Sequence, residues 1–307
     1  MSELVGTVVL GRFLVEGKLG AGAMGTVYRG IHVKLRRPVA IKVMHDHLGQ
    51  ERRMVERFLR EGRVAAKMNH ANVIGVIDVG EAAGRQIMIL EFAEGRTLTD
   101  LLEISPAPRR VIRLVSQILL GLDHAHAAGL IHRDLKPDNI IVQIDHEGTE
   151  IPRIVDFGIA VLRDPDEAGG GRLTETGQVL GTPIYMSPEQ AQAEDIDHRS
   201  DLFALGVIVY QMLAGRVPFE GSAIEIALAN IGKDPPPIQG DIDPLLEAFA
   251  RKLMARRLEH RFQSARDALA VLELIETDRR AASLALGIMD VATALAVISL
   301  PAPPRSQ

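Results

Sequence analysis

The spacing of apolar positions changes along the chain and divides it into two parts. In the first part, short runs rich in β-branched residues alternate with glycine, which is typical of antiparallel strands. These runs lie at 13–15, 26–28 and 39–41. Residues 51–68 then have helical spacing, residues 87–92 form another apolar strand, and residues 111–275 are mostly helical, beginning with a run over 111–127. The pattern predicts an α+β fold, with a small antiparallel sheet and one main helix followed by a larger helical part.

Three glycines, Gly20, Gly22 and Gly25, lie in a turn between two of the predicted strands. Without Cβ atoms, the backbone there can approach a triphosphate closely and direct its N–H groups at the oxygens. The turn alone is weak evidence, because glycine-rich hairpins are common and dinucleotide sites share this spacing. A strand follows the turn where a dinucleotide site would have a helix, and this argues against the dinucleotide interpretation.

The predicted helix over 51–68 carries one acidic residue, Glu61, on its apolar face. The apolar residues of that face are Met54, Phe58, Ala65 and Met68. A carboxylate on a buried face needs a cation, and Lys42, at the end of the apolar strand, is the candidate. An isolated lysine would instead extend to water. We expect a Lys42–Glu61 ion pair that holds the ammonium against phosphates and breaks if the helix rotates outward.

Polar residues concentrate at 131–139 and again at 156–158, between apolar runs. A strand over 140–144, a hairpin and a strand over 153–155 join the two segments. The hairpin would bring Asn139 beside Asp156. So many polar residues between apolar runs would build a poor core, and the complete set of motifs disfavours an ordinary polar loop.

The residue types in these segments suit phosphoryl chemistry. Asn139 and Asp156 offer hard oxygen ligands for Mg²⁺ that bridges ATP phosphates. Asp134 remains to accept the proton of an attacking hydroxyl. These motifs, in this order, resemble those of the eukaryotic-type (Hanks-type) Ser/Thr protein kinase family, and most resemble its bacterial members.

The resemblance covers residues 11–275 and implies a bilobal protein-kinase fold. It implies an N-lobe over about 11–92 and a C-lobe over about 94–275. The implied reaction transfers the γ-phosphoryl group of ATP to protein serine or threonine hydroxyls. The implied cofactors are ATP and Mg²⁺, with Mn²⁺ as an alternative metal. Lys136, two residues after Asp134, matches the Ser/Thr members of the family and therefore favours an aliphatic hydroxyl over a phenolic hydroxyl as the acceptor.

The same resemblance implies a role for each matching residue. Asp134 is the catalytic base, Lys136 steadies the γ-phosphoryl group, and Asn139 and Asp156 are the metal ligands. Lys42 contacts the α and β phosphates, with Glu61 supporting it. The implied ATP site comprises Leu19, Gly20, Ala21, Gly22, Ala23, Met24, Gly25, Thr26, Val27, Ala40, Lys42, Leu90, Glu91, Ala93 and Ile141. Within it, residues 91–93 would hydrogen-bond adenine, and Leu90 would guard the pocket behind.

A long segment runs from Asp156 to the Ser187, Pro188 and Glu189 motif and contains Thr174 and Thr176. The resemblance implies that Arg133 receives a phosphate carried by this segment. We therefore expect phosphorylation of Thr174 or Thr176 to order the segment, with a homodimer as the arrangement for trans-autophosphorylation. The alternative is that these threonines only solvate a loop.

Five further positions carry roles implied by the resemblance. Gly181 and Thr182 match the platform that receives the substrate residue after the acceptor. Glu189 is expected to pair with Arg261, and Asp201 to hold the backbone of the catalytic loop. All three charged groups would be buried and stabilising. Two other functions could use the same fold, a pseudokinase scaffold and a small-molecule phosphotransferase. A pseudokinase scaffold would usually lack one of the matching catalytic residues. A small-molecule phosphotransferase would lack the substrate platform at Gly181 and Thr182.

Composition narrows the setting. A net charge of −5 offers no basic surface for nucleic acid, and the absence of cysteine excludes disulfides and cysteine-ligated metals. The first ten residues lack the pattern of a secretory signal, so we expect a cytoplasmic kinase domain. Residues 276–307 are expected to form an apolar helix and a proline-rich tail. The apolar stretch 283–300 is slightly shorter than the roughly 20 residues that span a bilayer. Asp290 makes insertion costly, so we favour a helix packed on the large lobe or a dimer contact over a membrane anchor.

Overall fold

The structure is a computed structural model that describes residues 4–22, 25–102, 106–157 and 183–288. Within helix 52–65, the description does not extend to the side chains of Arg57 and Glu61. Among the described helices, none combines the length and the apolar character needed to cross a bilayer.

The small lobe is built on a six-stranded antiparallel sheet. Its strands are β1 (Val8–Val9), β2 (Phe13–Ala21), β3 (Gly25–His32), β4 (Pro38–Met44), β5 (Val76–Ala82) and β6 (Arg85–Glu91). Their order across the sheet is β1-β2-β3-β4-β6-β5. At alternate positions of β2 and β4, Phe13, Val15, Val39, Ile41 and Val43 are buried and form one side of the core.

The helices of the small lobe lie between β4 and β5. They are α1 (Asp46–Gly49) and α2 (Arg52–Ala65). Phe58 on α2 is completely buried against Met88 and Leu90 of β6. A Cβ at Gly62 would lie 2.8 Å from the Met88 side chain, so glycine permits this close approach of helix and sheet. The helix ends before the predicted limit of residue 68, although Met68 itself is buried.

The large lobe is mostly helical, with a small three-stranded sheet beside the small lobe. The strands are β7 (Arg96–Thr97), β8 (Ile140–Ile144) and β9 (Glu150–Ile154), in that order across the sheet. The helices are α3 (Leu98–Leu101), α4 (Pro108–Ala127), α5 (Pro188–Gln192), α6 (Arg199–Ala214), α7 (Ala223–Gly232), α8 (Pro244–Leu253), α9 (Ala265–Thr277) and α10 (Arg279–Ala285). Helix α6 is buried on almost all sides and forms the centre of this lobe.

The packed structure extends on both sides of the predicted domain, 11–275. Leu4 and Val9 are buried in the core of the small lobe. Helix α10 packs on the large lobe through Ala282, and the Lys252 ammonium donates a hydrogen bond to its last carbonyl, that of Ala285, at 2.6 Å. Ser283 and Leu286 of the apolar C-terminal stretch thus lie against the lobe, whereas Leu284 and Ile288 are exposed. Residues 289–307 are outside the described ranges.

Candidate active site

The glycine-containing turn connects β2 to β3 next to Lys42. Strand β3 pairs with β4 so that Val27 lies opposite Lys42, and Gly25 lies opposite Met44. A Cβ at Gly25 would lie 2.2 Å from the Val43 carbonyl oxygen, so the pairing of the two strands requires glycine. Added Cβ atoms at Gly20 and Gly22 would meet no described atom, which leaves space above these positions. The two residues at the tip, Ala23 and Met24, are outside the described ranges.

Lys42 forms an ion pair with Asp156, and the two charged atoms are 2.8 Å apart. Burial would raise the pKa of Asp156, but the charge and hydrogen bond of Lys42 hold that pKa below its ordinary value. The Asp156 carboxylate is therefore ionised at neutral pH. We expected Glu61 as the partner of Lys42. The structure shows Asp156 as a partner of Lys42, and the expected Lys42–Glu61 pair stays a prediction because the Glu61 side chain is outside its description.

Asp134 lies at the exposed end of the loop that precedes β8. The Lys136 ammonium donates to its carboxylate at 2.8 Å, and the Asn139 amide nitrogen donates to its backbone carbonyl at 2.8 Å. About half of the Asp134 side-chain surface, 52%, remains exposed, against 27% for Lys136. The carboxylate is held in position and stays open to an incoming hydroxyl.

Asn139 and Asp156 lie at the two ends of the β8 and β9 hairpin, and the Val155 amide donates to the Asn139 carbonyl at 2.9 Å. Asn139 uses its amide nitrogen on Asp134, so its side-chain oxygen is left to accept or coordinate. With the ionised Asp156 carboxylate, this gives a pair of hard oxygen donors. That donor set fits Mg²⁺, which is usually held by one or two protein groups together with substrate phosphates. In the described part of the chain, no group of three or more histidine and acidic side chains could hold a metal.

Asp201, on the buried helix α6, binds the backbone of the segment 131–139, the catalytic loop. Its carboxylate accepts from the backbone amides of His132 and Arg133, each at 2.8 Å. The His126 imidazole lies 2.8 Å from the same carboxylate. Burial would raise the pKa of Asp201, but His126, His132 and the amide hydrogen bonds hold it below its ordinary value. The predicted contact to the loop is present, and His126 is an additional partner that the sequence did not indicate.

The backbone at the site is held in an uncommon conformation. Arg133 and Asp156 have φ angles of +66° and +57°, in the left-handed region that few residues other than glycine adopt. The Gln190 side chain donates to the Arg133 carbonyl at 2.7 Å. Arg133 also makes another interaction within the protein, so it is already partnered in this structure.

His132 connects the catalytic loop to the segment that carries Asp156. Its ring nitrogen Nε2 lies 2.9 Å from the Val155 carbonyl oxygen, and its ring lies 4.9 Å from that of Phe157. His132 is completely buried. His132 belongs to the polar segment 131–139, and nothing in the sequence indicated this contact.

A buried ion pair fixes α5 to the rest of the large lobe. Arg261 donates to both carboxylate oxygens of Glu189, at 2.7 and 2.8 Å, and the Ser200 hydroxyl donates to Glu189 at 2.6 Å. Burial would raise the pKa of Glu189, but the hydrogen bonds and charge of Arg261 lower it. The expected pairing is therefore present, with solvent excluded from both side chains.

The residues expected around adenine lie at the junction of the lobes. Leu90 and Ala93 are buried, and Ala40 and Ile141 pack against the same apolar cluster. This cluster brings β4, β6 and β8 together although Ala40 and Ile141 are far apart in sequence. The remaining predicted residues, Leu19, Gly20, Ala21, Gly22, Thr26 and Val27, lie on the adjoining ends of β2 and β3 or in the turn between them.

Glu91, at the end of β6, pairs with Arg153 of β9. This contact joins the two lobes and was not predicted from the sequence. Arg153 donates to the Glu91 carboxylate and, at 2.9 Å, to the Val73 carbonyl. Arg37 approaches the other carboxylate oxygen at 3.4 Å. Burial would raise the pKa of Glu91, but Arg153 outweighs it and the pKa is lowered. The two predicted phosphosites and the two platform residues, Thr174, Thr176, Gly181 and Thr182, are outside the described ranges.

Comparisons with known proteins agree with this architecture. Residues 13–271 match the family model described as the protein kinase domain. The chain is 39% identical over 287 residues to the serine/threonine-protein kinase pkn3 of Myxococcus xanthus, a match that covers 91% of this chain and 52% of pkn3. It is 38% identical over 241 residues to the serine/threonine-protein kinase PknL of Mycobacterium tuberculosis, covering 78% of this chain and 58% of PknL.

A solved structure gives the same result for the fold. The crystal structure of the PknI kinase domain of Mycobacterium tuberculosis superposes with a TM-score of 0.66 at 25% identity, covering 88% of this chain and 98% of that domain. The chain spans only about half the length of the curated relatives described above. The family match and the shared fold lead to one conclusion: the chain belongs to the protein kinase family.

Proposed function

We propose that this protein transfers the γ-phosphoryl group of ATP to serine and threonine hydroxyls of other proteins. The observation that carries the proposal is the half-exposed Asp134 carboxylate, held by Lys136 at 2.8 Å beside Asn139. A base so placed can accept the hydroxyl proton, while the neighbouring ammonium offsets the charge of the transferred group. The names of the relatives, serine/threonine-protein kinases, support the same class of acceptor.

Protein kinases use ATP and a divalent cation, and for this chain we propose Mg²⁺, with Mn²⁺ able to replace it. Asn139 and Asp156 would hold the metal through side-chain oxygens, and when bound it would neutralise phosphate charge. Lys42 keeps an ammonium at the base of the cleft, 2.8 Å from Asp156. The apolar cluster that includes Leu90 and Ala93 excludes water from the space expected for adenine.

Activation by phosphorylation of Thr174 or Thr176 is part of the proposal, with a second copy of the chain as the donor enzyme. The length and polarity of the segment from residue 158 to residue 182 support it. A phosphate there would add charge that arginines can bind. Phosphosite mapping of active enzyme should find one of the two threonines modified, and an unmodified segment in active enzyme would remove this part of the proposal.

The reaction can be tested with the full chain, labelled ATP, Mg²⁺ and a mixture of proteins rich in exposed serine and threonine. We expect label on serine and threonine, identified by mass spectrometry, and none with Asp134→Asn. Nucleotide binding without transfer would instead support a scaffold, and transfer confined to small molecules would support a small-molecule phosphotransferase. Equal transfer by Asp134→Asn and by wild type would contradict the role given to Asp134.

A further inference from the structure

The large lobe contains an open groove of about 590 Å³ that is separate from the catalytic cleft. It is lined by α5, the ends of α7 and α8, and the residues that follow α8. Its floor is apolar and includes Ile231, Pro235 and Met254. A groove of this volume is large enough to bind a short peptide segment or a few side chains.

The rim of the groove is cationic. Arg251 pairs with Glu247 at 2.9 Å, and Arg256 pairs with Asp234 at 3.1 Å. Arg257 is exposed, and among the described residues none forms an ion pair or hydrogen bond with its guanidinium. The rim therefore keeps a net positive charge. An apolar floor beside it strengthens attraction for a negatively charged partner.

A partly exposed apolar stripe on α7 continues into this groove. Ile224, Leu228 and Ile231 follow one another at helical spacing, while the opposite face of α7, with Ile226 and Asn230, is buried. Leu228 is 56% exposed. Because Ile231 belongs to both the stripe and the groove, the two form one continuous surface.

The surface is rigidly connected to the side of the lobe where the acceptor is expected. The buried Asn230 amide of α7 donates to the carbonyls of Pro183 and Met186, at 3.0 and 2.9 Å. Pro183 directly follows Gly181 and Thr182, the predicted substrate platform, and Met186 lies three residues further along the chain. A segment of a substrate held in the groove would thus stay at a fixed distance from the acceptor, which raises the local concentration of that substrate.

We propose that this groove, with the apolar stripe of α7, binds an acidic segment containing apolar side chains in the protein substrates of this enzyme. The inference rests on the proposed function for its meaning, and on charge complementarity for the choice of partner. Carboxylates of the segment would face Arg256 and Arg257, while its apolar side chains would cover Leu228 and the floor. A basic segment would be repelled by the same rim.

Fluorescence polarisation of a labelled synthetic peptide, alternating Glu or Asp with Leu or Phe, tests the inference on the full chain without ATP. We expect saturable binding that weakens as salt is added, because the interaction is partly electrostatic. Arg257→Glu and Leu228→Asp should each weaken binding about fivefold or more. Arg109→Glu, an exposed arginine on α4 outside the groove, is the matched control and should change nothing. A peptide with Lys in place of the acidic residues should not bind.

The absence of saturable binding, or an equal loss in the Arg109→Glu control, would overturn the inference. So would a dimer, detected by sedimentation, that Arg257→Glu dissociates, because a second copy would then occupy the surface. Circular dichroism of each variant checks that the fold is retained. ATP turnover is measured separately: an active chain that does not bind the peptide contradicts only the groove, and a binding chain without turnover contradicts only the proposed function.

Discussion

The catalytic cleft and the interior of the large lobe both contain ion pairs, but solvent reaches the carboxylates of the cleft, although Lys42 there is buried, and neither member of the interior pair. In the cleft, Asp134 is 52% exposed and Asp156 is 36% exposed, although each has a lysine at 2.8 Å. In the interior, the Glu189 and Arg261 side chains are 3% and 0% exposed. Similar hydrogen-bond lengths therefore occur in very different surroundings.

Because of this difference in exposure, the two regions have different roles. A carboxylate that faces solvent keeps part of its hydration, so it can exchange one partner for another at little cost. A buried pair that loses one member leaves an uncompensated charge, which strongly destabilises the fold. The cleft can thus change partners during a reaction, whereas the interior pair and Asp201 hold the catalytic loop and α5 in place.

The largest expected effect is on the reaction and should leave stability unchanged. Asp134→Asn removes the proposed base, and we expect kcat to fall by about 10³-fold, which is roughly 4 kcal/mol. Because the side chain is half exposed and similar in size, the free energy of unfolding should change by less than about 0.5 kcal/mol. Steady-state kinetics and urea unfolding of the same preparation check both statements. A large loss of stability would show that Asp134 stabilises the fold, as the buried Glu189–Arg261 pair does.

The opposite pattern is expected in the interior. Arg261→Ala leaves Glu189 buried without its cation and should lower the free energy of unfolding by about 3 to 5 kcal/mol. Arg266→Ala is the matched control, because Arg266 pairs with Asp123 at the surface and is 80% exposed. That control should cost about 1 kcal/mol or less. Urea unfolding of both variants makes the comparison, and equal losses would contradict it.

The Glu91–Arg153 contact lies between the two extremes, since it is partly buried and joins the lobes beside the expected adenine site. Arg153→Gln should loosen the end of β6, and we expect the KM for ATP to rise about tenfold while kcat changes little, because the catalytic loop is untouched. Arg37→Gln is the control, as Arg37 is more exposed and lies farther from the same carboxylate. A fall in kcat without a change in KM would refute this role for Arg153.

The smallest effect concerns pH. The pKa of Glu189 in the folded protein is below the ordinary value of 4.5, because Arg261 outweighs the effect of burial. A lowered folded pKa stabilises the protein fully above the unfolded pKa, and this contribution is lost as the pH falls through the folded value. The stability advantage of wild type over Glu189→Gln should therefore be constant above about pH 5 and shrink below it. Unfolding curves across this pH range measure the difference in stability between wild type and Glu189→Gln. A difference that grows as the pH falls would contradict the lowered pKa of Glu189.

The sequence allowed the fold and much of the cleft to be predicted, since periodicity marks strands and helices and the motif order assigns Asp134, Asn139 and Asp156 to one place. It also indicated the Glu189–Arg261 and Asp201 contacts, through the family resemblance. The Lys42–Asp156 contact was not predicted, because it depends on how the lobes are set against each other, and the predicted Lys42–Glu61 pair stays a prediction. Arg153 and His126 carried no local signal, since an arginine in a strand or a histidine in a helix is usually a surface residue.

The central claim is that the cleft charges are open to a metal-bound nucleotide while the interior charges are not. The most direct measurement is thermal unfolding with a non-hydrolysable ATP analogue, with Mg²⁺ or with EDTA, for wild type and Asp156→Ala. At about 100 times the Kd, wild type should gain roughly 2.7 kcal/mol of stability when Mg²⁺ is present, and much less with EDTA. Asp156→Ala should fold but lose the metal-dependent part. A gain that does not depend on Mg²⁺, or one that is the same in both proteins, would contradict the account.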